Sequence, residues 1–218
     1  MAMRIFNGKK EAKKILLDLK KRIRKEKLKP KLAVILAGNN PSSKLYVKLK
    51  KKAGKKIGIN VSVYKFKENA EEKRIIEKIR ELNKNKIIDG IIVQLPLPNG
   101  LGAKRITGEI HPQKDVDGFH KMSSFPPVLP SAIFVALLKG VKSHKNKKIV
   151  ALVNSDIFGK TLQEFLREKK IRMDYILRGK ISRRSVARQK KKFISLTSEL
   201  TKEANSKNIR SSLPSLSL

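Results

Sequence analysis

Two side chains four residues apart, Tyr46 and Lys50, are the first candidates for chemistry in this 218-residue sequence. Residues at i and i+4 share one face of a helix, so the phenol ring and the amine are expected to point the same way. The ring can cover a flat heterocycle, and the amine can move a proton if burial or a nearby positive charge favours its neutral form. The alternative is that Lys50 is one solvated lysine among many.

A single polar residue, Gln94, follows the predicted strand at residues 87–93, which ends in the apolar residues Ile91, Ile92 and Val93. A side-chain amide at the end of a buried strand needs a hydrogen-bond partner. A catalytic amine or a ligand would serve, and so would the backbone of an ordinary strand end.

Two aspartates, Asp115 and Asp117, lie in a segment bounded by His111 and His120. Their spacing matches no usual metal constellation, so no metal site is predicted. One carboxylate can instead accept two hydrogen bonds, from the amino and ring N–H groups of a pterin. The alternative is that both aspartates only form the turn around Gly118.

Each of these segments ends or follows an element of a predicted α/β domain. A continuous apolar run at 32–37 and predicted strands at 61–66 and 87–93 alternate with helical patterns, an order that predicts a parallel sheet. Ligands of open parallel sheets bind at the carboxyl ends of the strands. Ser42 or Ser43 is predicted to cap the second helix. The predicted apolar face of that helix comprises Leu45, Leu49, Ala53 and Ile57.

The first and third helices are also predicted from apolar periodicity. Asn69 and Glu72 have the spacing of a capping box at the start of the third helix. The apolar positions of the first helix are Ala12, Ile15, Leu16, Leu19 and Ile23, and those expected to face inward from the third are Ile75, Ile76, Ile79 and Leu82.

The second half of the chain resumes regular patterns after an irregular stretch from Pro98 to about Pro130. The predicted elements are a helix at 131–139, a strand at 148–153, a helix at 159–169 and a strand at 171–177, which together make a short βαβ unit. We therefore divide the chain into a first domain at 1–119, a second at 120–178, and a basic, Ser-rich tail at 179–218 expected to be poorly ordered.

The net charge of +35 is extreme, but lysines are scattered through every segment and aromatic residues make up only 5% of the chain. Nucleic-acid binders concentrate basic residues on one face and add aromatic residues for stacking, so a nucleic-acid partner is disfavoured. The absence of cysteine excludes disulfides and thiolate metal sites. No apolar run is long enough to span a bilayer and the start lacks signal-peptide character, so a cytoplasmic protein is expected.

The three segments also carry a family resemblance. Residues 40–50 (NPSSKLYVKLK), 90–98 (GIIVQLPLP) and 111–120 (HPQKDVDGFH) resemble, in sequence, order and spacing, the bifunctional methylenetetrahydrofolate dehydrogenase/methenyltetrahydrofolate cyclohydrolases. The likeness extends over residues 4–120. It implies an α/β fold, with an N-terminal parallel-sheet folate-binding catalytic domain followed by a truncated Rossmann-like NAD(P)-binding domain. It also implies one-carbon folate interconversion, a tetrahydrofolate derivative as substrate, NADP or NAD as cofactor, and a homodimer.

The resemblance implies a role for each of four residues. Lys50 matches the family's catalytic lysine, and Gln94 matches the glutamine that orients it. Tyr46 matches the tyrosine that packs on the folate ring. Asp117 matches the carboxylate that holds the pterin.

The second half departs from the family pattern. Val153 and Asn154 stand where the family has a glycine and an arginine, whereas Ser155 and Gly159 are retained and are the candidate cofactor-binding residues. Glycine lets the backbone approach a pyrophosphate, and the arginine would clamp a 2′-phosphate. We therefore expect weak NADP binding and an impaired dehydrogenase. The alternative is an inactive remnant that binds folate or nucleic acid. The family's later strands and terminal helix are not recognisable after residue 178, which gene decay or a frameshift would explain.

Overall fold

A computed structural model describes residues 6–120, 122–140 and 149–177, and the chain divides into two compact units after Val128. The predicted tail at 179–218 lies outside the described residues. The elements are α1 (Gly8–Lys25), β1 (Lys31–Ala37), α2 (Pro41–Ile57), β2 (Asn60–Phe66), α3 (Glu72–Lys84), β3 (Gly90–Val93), α4 (Ala103–Gly108), α5 (Val128–Gly140), β4 (Ile149–Val153), α6 (Asp156–Glu168) and β5 (Met173–Leu177).

The first unit contains the predicted parallel sheet, with strand order β2-β1-β3. Strand β1 is central, and its residues from Ala33 to Ala37 are buried because helices cover both faces of the sheet. Alternate residues of the strands face opposite helices. Val34 and Ile92 pack with α2 in one core cluster, whereas Ile35 and Ile91 pack with α3 in another.

Helix α2 begins differently from the prediction. Its cap is Asn40, whose side-chain oxygen accepts from the Ser43 backbone N–H at 3.0 Å, and Pro41 occupies the first turn. The N-cap residue of α2 is therefore Asn40 rather than the predicted Ser42 or Ser43. Proline suits the first turn because its missing N–H would have no helical partner there.

The predicted buried face of α2 is also wrong in part. Leu45 and Leu49 are 56% and 51% exposed. The buried stripe instead comprises Ser43, Val47, Gly54 and Ile57. A Cβ on Gly54 would lie 2.6 Å from the Val61 side chain, so small residues on this stripe let α2 approach β2 closely.

Helix α3 packs as predicted, because Ile75, Ile79 and Leu82 are buried. The predicted capping box is wrong. Asn69 lies outside the helix, and Glu72 instead accepts from the Gly102 backbone N–H at 2.8 Å and pairs with Arg105. Both partners lie at α4, a helix that the sequence prediction treated as irregular chain.

Polar side chains tie the other end of α3 to the chain beyond α4. The Asn83 side chain donates to the Glu109 carbonyl at 2.7 Å and accepts from the His111 backbone N–H at 2.9 Å. The Lys114 ammonium donates to the backbone carbonyls of Leu82, Asn83 and Asn85 at 2.8–3.0 Å. These bonds satisfy carbonyls that a helix end leaves without partners.

One element is shorter than predicted, and another contributes no buried side chain. Strand β3 spans four residues rather than the predicted seven, and Ile87 ahead of it is 59% exposed. Helix α1 has no buried residue, and its apolar side chains Ile15 and Leu19 are 46% and 41% exposed. It packs against α2 outside the sheet rather than on the core.

The second unit contains the predicted βαβ arrangement, with β4 and β5 paired in parallel. Its core includes Ile149, Leu162 and Met173. Helix α6 begins three residues earlier than predicted, so Gly159 lies inside the helix rather than at its start. Among the described residues, no helix combines the length and apolar character needed to cross a membrane.

We predict that Ile79→Ala lowers the free energy of unfolding by about 2–5 kcal/mol, because it empties a fully buried position. The matched control is Ile87→Ala, which truncates a mostly exposed side chain and should cost under about 0.5 kcal/mol. Urea denaturation followed by circular dichroism measures both. Similar losses for the two variants would contradict the assigned core.

Candidate active site

The site forms where β1 and β3 end side by side. The chain leaves β1 toward α2 and later returns to the other side of β1 as β3, which makes the gap between their carboxyl ends a topological switch point. Ligands of open α/β sheets bind at such points. Helix α2 contributes Lys50 here, and the end of β3 contributes Gln94.

Lys50 and Asp117 meet as an ion pair, with 3.9 Å between Lys50 Nζ and Asp117 Oδ2. The side chains are 34% and 18% exposed, so both are mostly removed from water. Lys50 lies on the buried stripe of α2, four residues before Gly54 and three after Val47. It therefore faces the sheet, unlike the solvated neighbours Lys48 and Lys51.

Burial raises the pKa of the Asp117 carboxyl above its ordinary value, because a carboxylate loses its hydration there. The Lys50 ammonium opposes this effect and the neighbouring Asp115 carboxylate adds to it. Donors supplied by a ligand would favour the ionised form of Asp117. The residue is thus suited to accept hydrogen bonds from N–H groups.

Gln94 extends the sheet by one residue, because its backbone N–H donates to the Ile35 carbonyl at 2.9 Å. Strand alternation puts its side chain on the α2 face, the same face as Ile92. The amide nitrogen donates to the Leu95 carbonyl at 2.7 Å, whereas the amide oxygen is buried without a hydrogen-bond partner. A buried unsatisfied acceptor is costly, so it marks a place where a donor is expected to bind.

Ser43 is a residue that the sequence analysis treated only as a helix cap. It is fully buried, and its hydroxyl donates to the Leu95 carbonyl at 3.3 Å. The same carbonyl holds the Gln94 amide. Ser43 therefore connects α2 to Gln94, and its position seven residues before Lys50 on the same stripe is the sequence signal that could have revealed it.

The segment that carries Asp117 lies against β3. The Ile91 backbone N–H donates to the Lys114 carbonyl at 2.7 Å, and Ile91 and Asp115 form a parallel bridge. Gly118 has a φ of +70°, and a Cβ there would lie 2.7 Å from backbone atoms of Pro126. Only glycine fits this position.

Tyr46 is 42% exposed and lies one turn before Lys50 on α2. Its phenol ring is thus accessible to a ligand. His111 and His120 each accept a nearby backbone N–H at Nδ1. Across residues 6–120, 122–140 and 149–177, no group of three His, Cys, Asp or Glu side chains could hold a metal ion.

In the second unit, Ser155 caps α6 and its hydroxyl oxygen accepts from the Phe158 N–H at 3.2 Å. A Cβ on Gly159 would lie 2.4 Å from the Tyr175 ring, so this glycine permits close packing of α6 on β5. Asp156 occupies the first turn of α6, accepts from the Tyr175 hydroxyl at 2.6 Å, and pairs with Lys160 at 2.7 Å.

Comparisons with known proteins point to one family. The sequence profile described as "Tetrahydrofolate dehydrogenase/cyclohydrolase, catalytic domain" matches residues 6–117. Bifunctional protein FolD of Acetivibrio thermocellus is 35% identical over 178 residues, covering 76% of this chain and 62% of that protein. Bifunctional protein FolD of Rickettsia canadensis is 38% identical over 176 residues, covering 74% and 61%. The chain therefore spans less than two thirds of these curated relatives.

Solved structures agree with this result. The bifunctional enzyme FolD, methylenetetrahydrofolate dehydrogenase/cyclohydrolase, from Campylobacter jejuni superposes with a TM-score of 0.75 and 31% identity, covering 83% of this chain and 69% of that one. A methylenetetrahydrofolate dehydrogenase from Bombyx mori has a TM-score of 0.77 at 24% identity, covering 89% and 75%, and supports the fold alone.

We predict that Asp117→Asn makes the protein more stable at neutral pH. The raised pKa means that the native state holds this proton more tightly than the unfolded chain, so the ionised carboxylate costs stability. The cost is absent below the unfolded carboxyl pKa of about 4 and grows as the pH rises through the raised pKa. Thermal melts of variant and wild type should therefore coincide in acid and diverge toward pH 7.

The control is Asp89→Asn, whose carboxylate accepts from the Lys31 backbone N–H at 2.7 Å at the opposite end of the sheet. Removing that acceptor should lower stability at pH 7 or leave it unchanged. A destabilised Asp117→Asn variant at pH 7 would show that the Lys50 contact outweighs the cost of burial.

Proposed function

This chain belongs to the tetrahydrofolate dehydrogenase/cyclohydrolase family, and from that membership we propose that it interconverts 5,10-methylene-, 5,10-methenyl- and 10-formyltetrahydrofolate. The observation that carries the proposal is the group at the ends of β1 and β3. There the Lys50 amine faces the Asp117 carboxylate, and the Gln94 amide oxygen is buried without a donor. Neither the described residues nor the comparisons favour the inactive alternative.

Binding of the folate is assigned to Asp117 and Tyr46. The Asp117 carboxylate accepts hydrogen bonds from the amino and ring N–H groups of the pterin, which are paired donors of matching geometry. The exposed ring of Tyr46 packs on the flat heterocycle. Because Lys50 lies beside Asp117, a pterin held this way brings its one-carbon bridge toward the amine.

Hydrolysis of the methenyl group is assigned to Lys50 and Gln94. Water attacks the carbon between the two nitrogens of the cationic bridge, and the Lys50 amine takes the water's proton. The bond from this carbon to N5 then breaks as the added hydroxyl becomes the formyl carbonyl on N10, and the hydroxyl proton passes to N5. The amine acts as a general base through its nitrogen lone pair. The Gln94 oxygen can accept a hydrogen bond from the amine or the water and orient it.

The dehydrogenase reaction needs NADP or NAD as hydride acceptor, and the described residues of the second unit do not fit its phosphates. Val153 is buried where the family has glycine. Asp156 puts a carboxylate in the first turn of α6, whereas a helix N-terminus binds anions through its positive dipole end. The Tyr175 ring fills the space beside Gly159, where the family pattern would place a phosphate-binding glycine. We therefore propose the cyclohydrolase as the main activity and an impaired dehydrogenase.

A homodimer and a cytoplasmic location stay predictions from the sequence. Neither is needed for the chemistry assigned to residues 6–128.

We predict that Lys50→Met lowers the rate of methenyltetrahydrofolate hydrolysis by about 10²–10⁴-fold, the usual contribution of a general base. Loss of the 5,10-methenyltetrahydrofolate absorbance measures the rate. Lys48→Met is the matched control, because it removes an exposed lysine from the same helix. Equal rates in wild type and Lys50→Met would refute the role of Lys50.

For the nucleotide, we predict weak NADP binding with little preference over NAD. Loss of one charge-assisted clamp on the 2′-phosphate removes roughly one to two decades of affinity. Titration of the purified protein with each nucleotide, followed by calorimetry, measures this. Micromolar affinity for NADP with clear preference over NAD would show that another basic residue replaces the missing arginine.

Asp156 can be tested in the same titration. Asp156→Asn should tighten NADP binding up to about fivefold, since it removes an anion from the end of α6. The control is Asp174→Asn, which makes the same change of charge near the amino end of β5 rather than in the first turn of α6. It should change NADP affinity less than Asp156→Asn does.

A further inference from the structure

Asp115 is completely buried, and among residues 6–120, 122–140 and 149–177 it is the only charged residue that is. Burying a carboxylate is costly unless hydrogen bonds replace its hydration. The mechanism above makes no use of this residue. Its burial therefore needs another explanation.

The Asp115 carboxylate is satisfied by two backbone N–H groups of its own loop. Oδ1 accepts from Gly118 at 3.2 Å, and Oδ2 accepts from His120 at 2.7 Å. The two donors follow Asp117 by one and three residues. These two bonds fold residues 115–120 into a closed loop, and Asp117 lies within this loop.

The backbone of Asp115 is fixed independently of its carboxylate. Its N–H donates to the His111 carbonyl at 3.1 Å, and its carbonyl accepts from the Ser123 hydroxyl at 2.9 Å. A parallel bridge to Ile91 connects it to β3. The carboxylate therefore ties the Asp117 loop to a rigid part of the sheet.

We propose that Asp115 is a positioning residue for the folate chemistry, holding the Asp117 carboxylate opposite Lys50 through its bonds to Gly118 and His120. This inference rests on the proposed function. Asp117 approaches Lys50 to 3.9 Å, so a small displacement of the loop would separate the pair and misplace a pterin bound to Asp117.

Asp115 also acts on Asp117 through charge. Its carboxylate adds to the raised pKa of Asp117, in the same direction as burial and against the effect of Lys50. Removing the Asp115 charge, or exposing the loop to water, should lower the pKa of Asp117. This shift can be observed without any substrate.

The central variant is Asp115→Asn, which replaces one acceptor oxygen by an amide donor facing a backbone N–H. We expect tetrahydrofolate affinity, measured by calorimetry, to fall about ten- to hundredfold. In an Asp117→Asn background the same substitution should cost almost nothing, because the residue through which Asp115 acts is already gone. A fully additive loss would overturn the proposal.

Two controls guard the interpretation. Asp89→Asn removes a carboxylate–backbone bond far from the loop and should leave tetrahydrofolate affinity unchanged. If Asp115→Asn does not fold, Ser123→Ala carries the test, since it removes the hydroxyl bond to the Asp115 carbonyl, together with the bond that this hydroxyl accepts from the Phe125 backbone N–H. It should weaken binding about three- to tenfold, and only when Asp117 is present.

The titration of Asp117, followed by carboxyl carbon NMR, separates this inference from the proposed function. If the wild type neither binds tetrahydrofolate nor hydrolyses the methenyl compound, the proposed function fails. The Lys50→Met substitution then decides the positioning role, because it removes the ammonium that lowers the pKa of Asp117. If Asp115 holds the pair together, Lys50→Met raises the pKa of Asp117 in the wild-type background but not in the Asp115→Asn background. An equal rise in both backgrounds overturns the role. If the wild type is active and Asp115→Asn matches it, only the inference fails.

Discussion

Parallel pairing of β1 with a strand on each side is the constraint from which the candidate site follows. The chain must cross from β1 to one edge and then back to the other, so α2 and α3 cover opposite faces. The carboxyl ends of β1 and β3 then become neighbours. Lys50 reaches this point from the helix after β1, and Gln94 reaches it from the end of β3. The loop of Asp117 depends on the same edge, because it is bonded to β3.

The elements of this fold were largely predictable, whereas their contacts were not. A continuous apolar run at 32–37 and shorter groups of branched apolar residues at 61–66 and 87–93 indicated the three parallel strands of the first unit, and all three exist. The face of α2 was wrong in part because Leu45 and Leu49 are large apolar residues at helical spacing, whereas close packing on the sheet selected Ser43 and Gly54 for their small size. Periodicity measures hydrophobicity and does not measure how near two backbones must come. Helix α4 was missed because its six residues are too few to establish a period.

The candidate site was predictable to a similar depth. Resemblance to a family selected Lys50 and Asp117, and the two form an ion pair. The sequence alone left Lys50 as one lysine among many. Lys50 differs from the other lysines of α2 because it lies on the buried stripe of that helix. This difference can be recognised only when the residues of the stripe are known. The burial of Asp115 could not be predicted, because an aspartate in a turn is usually solvated and its enclosure depends on bonds to β3 formed far away in sequence.

The ammonium of Lys114 has a chemical consequence beyond its structural one. All three of its N–H donors are directed at the carbonyl oxygens that end α3, so a reagent reaches the nitrogen only after these bonds have broken. Acylating and reductively alkylating reagents attack the free amine. In a chain with 53 lysines and arginines, Lys114 would therefore be modified late, and its reaction rate would report on opening of the helix end rather than on surface exposure.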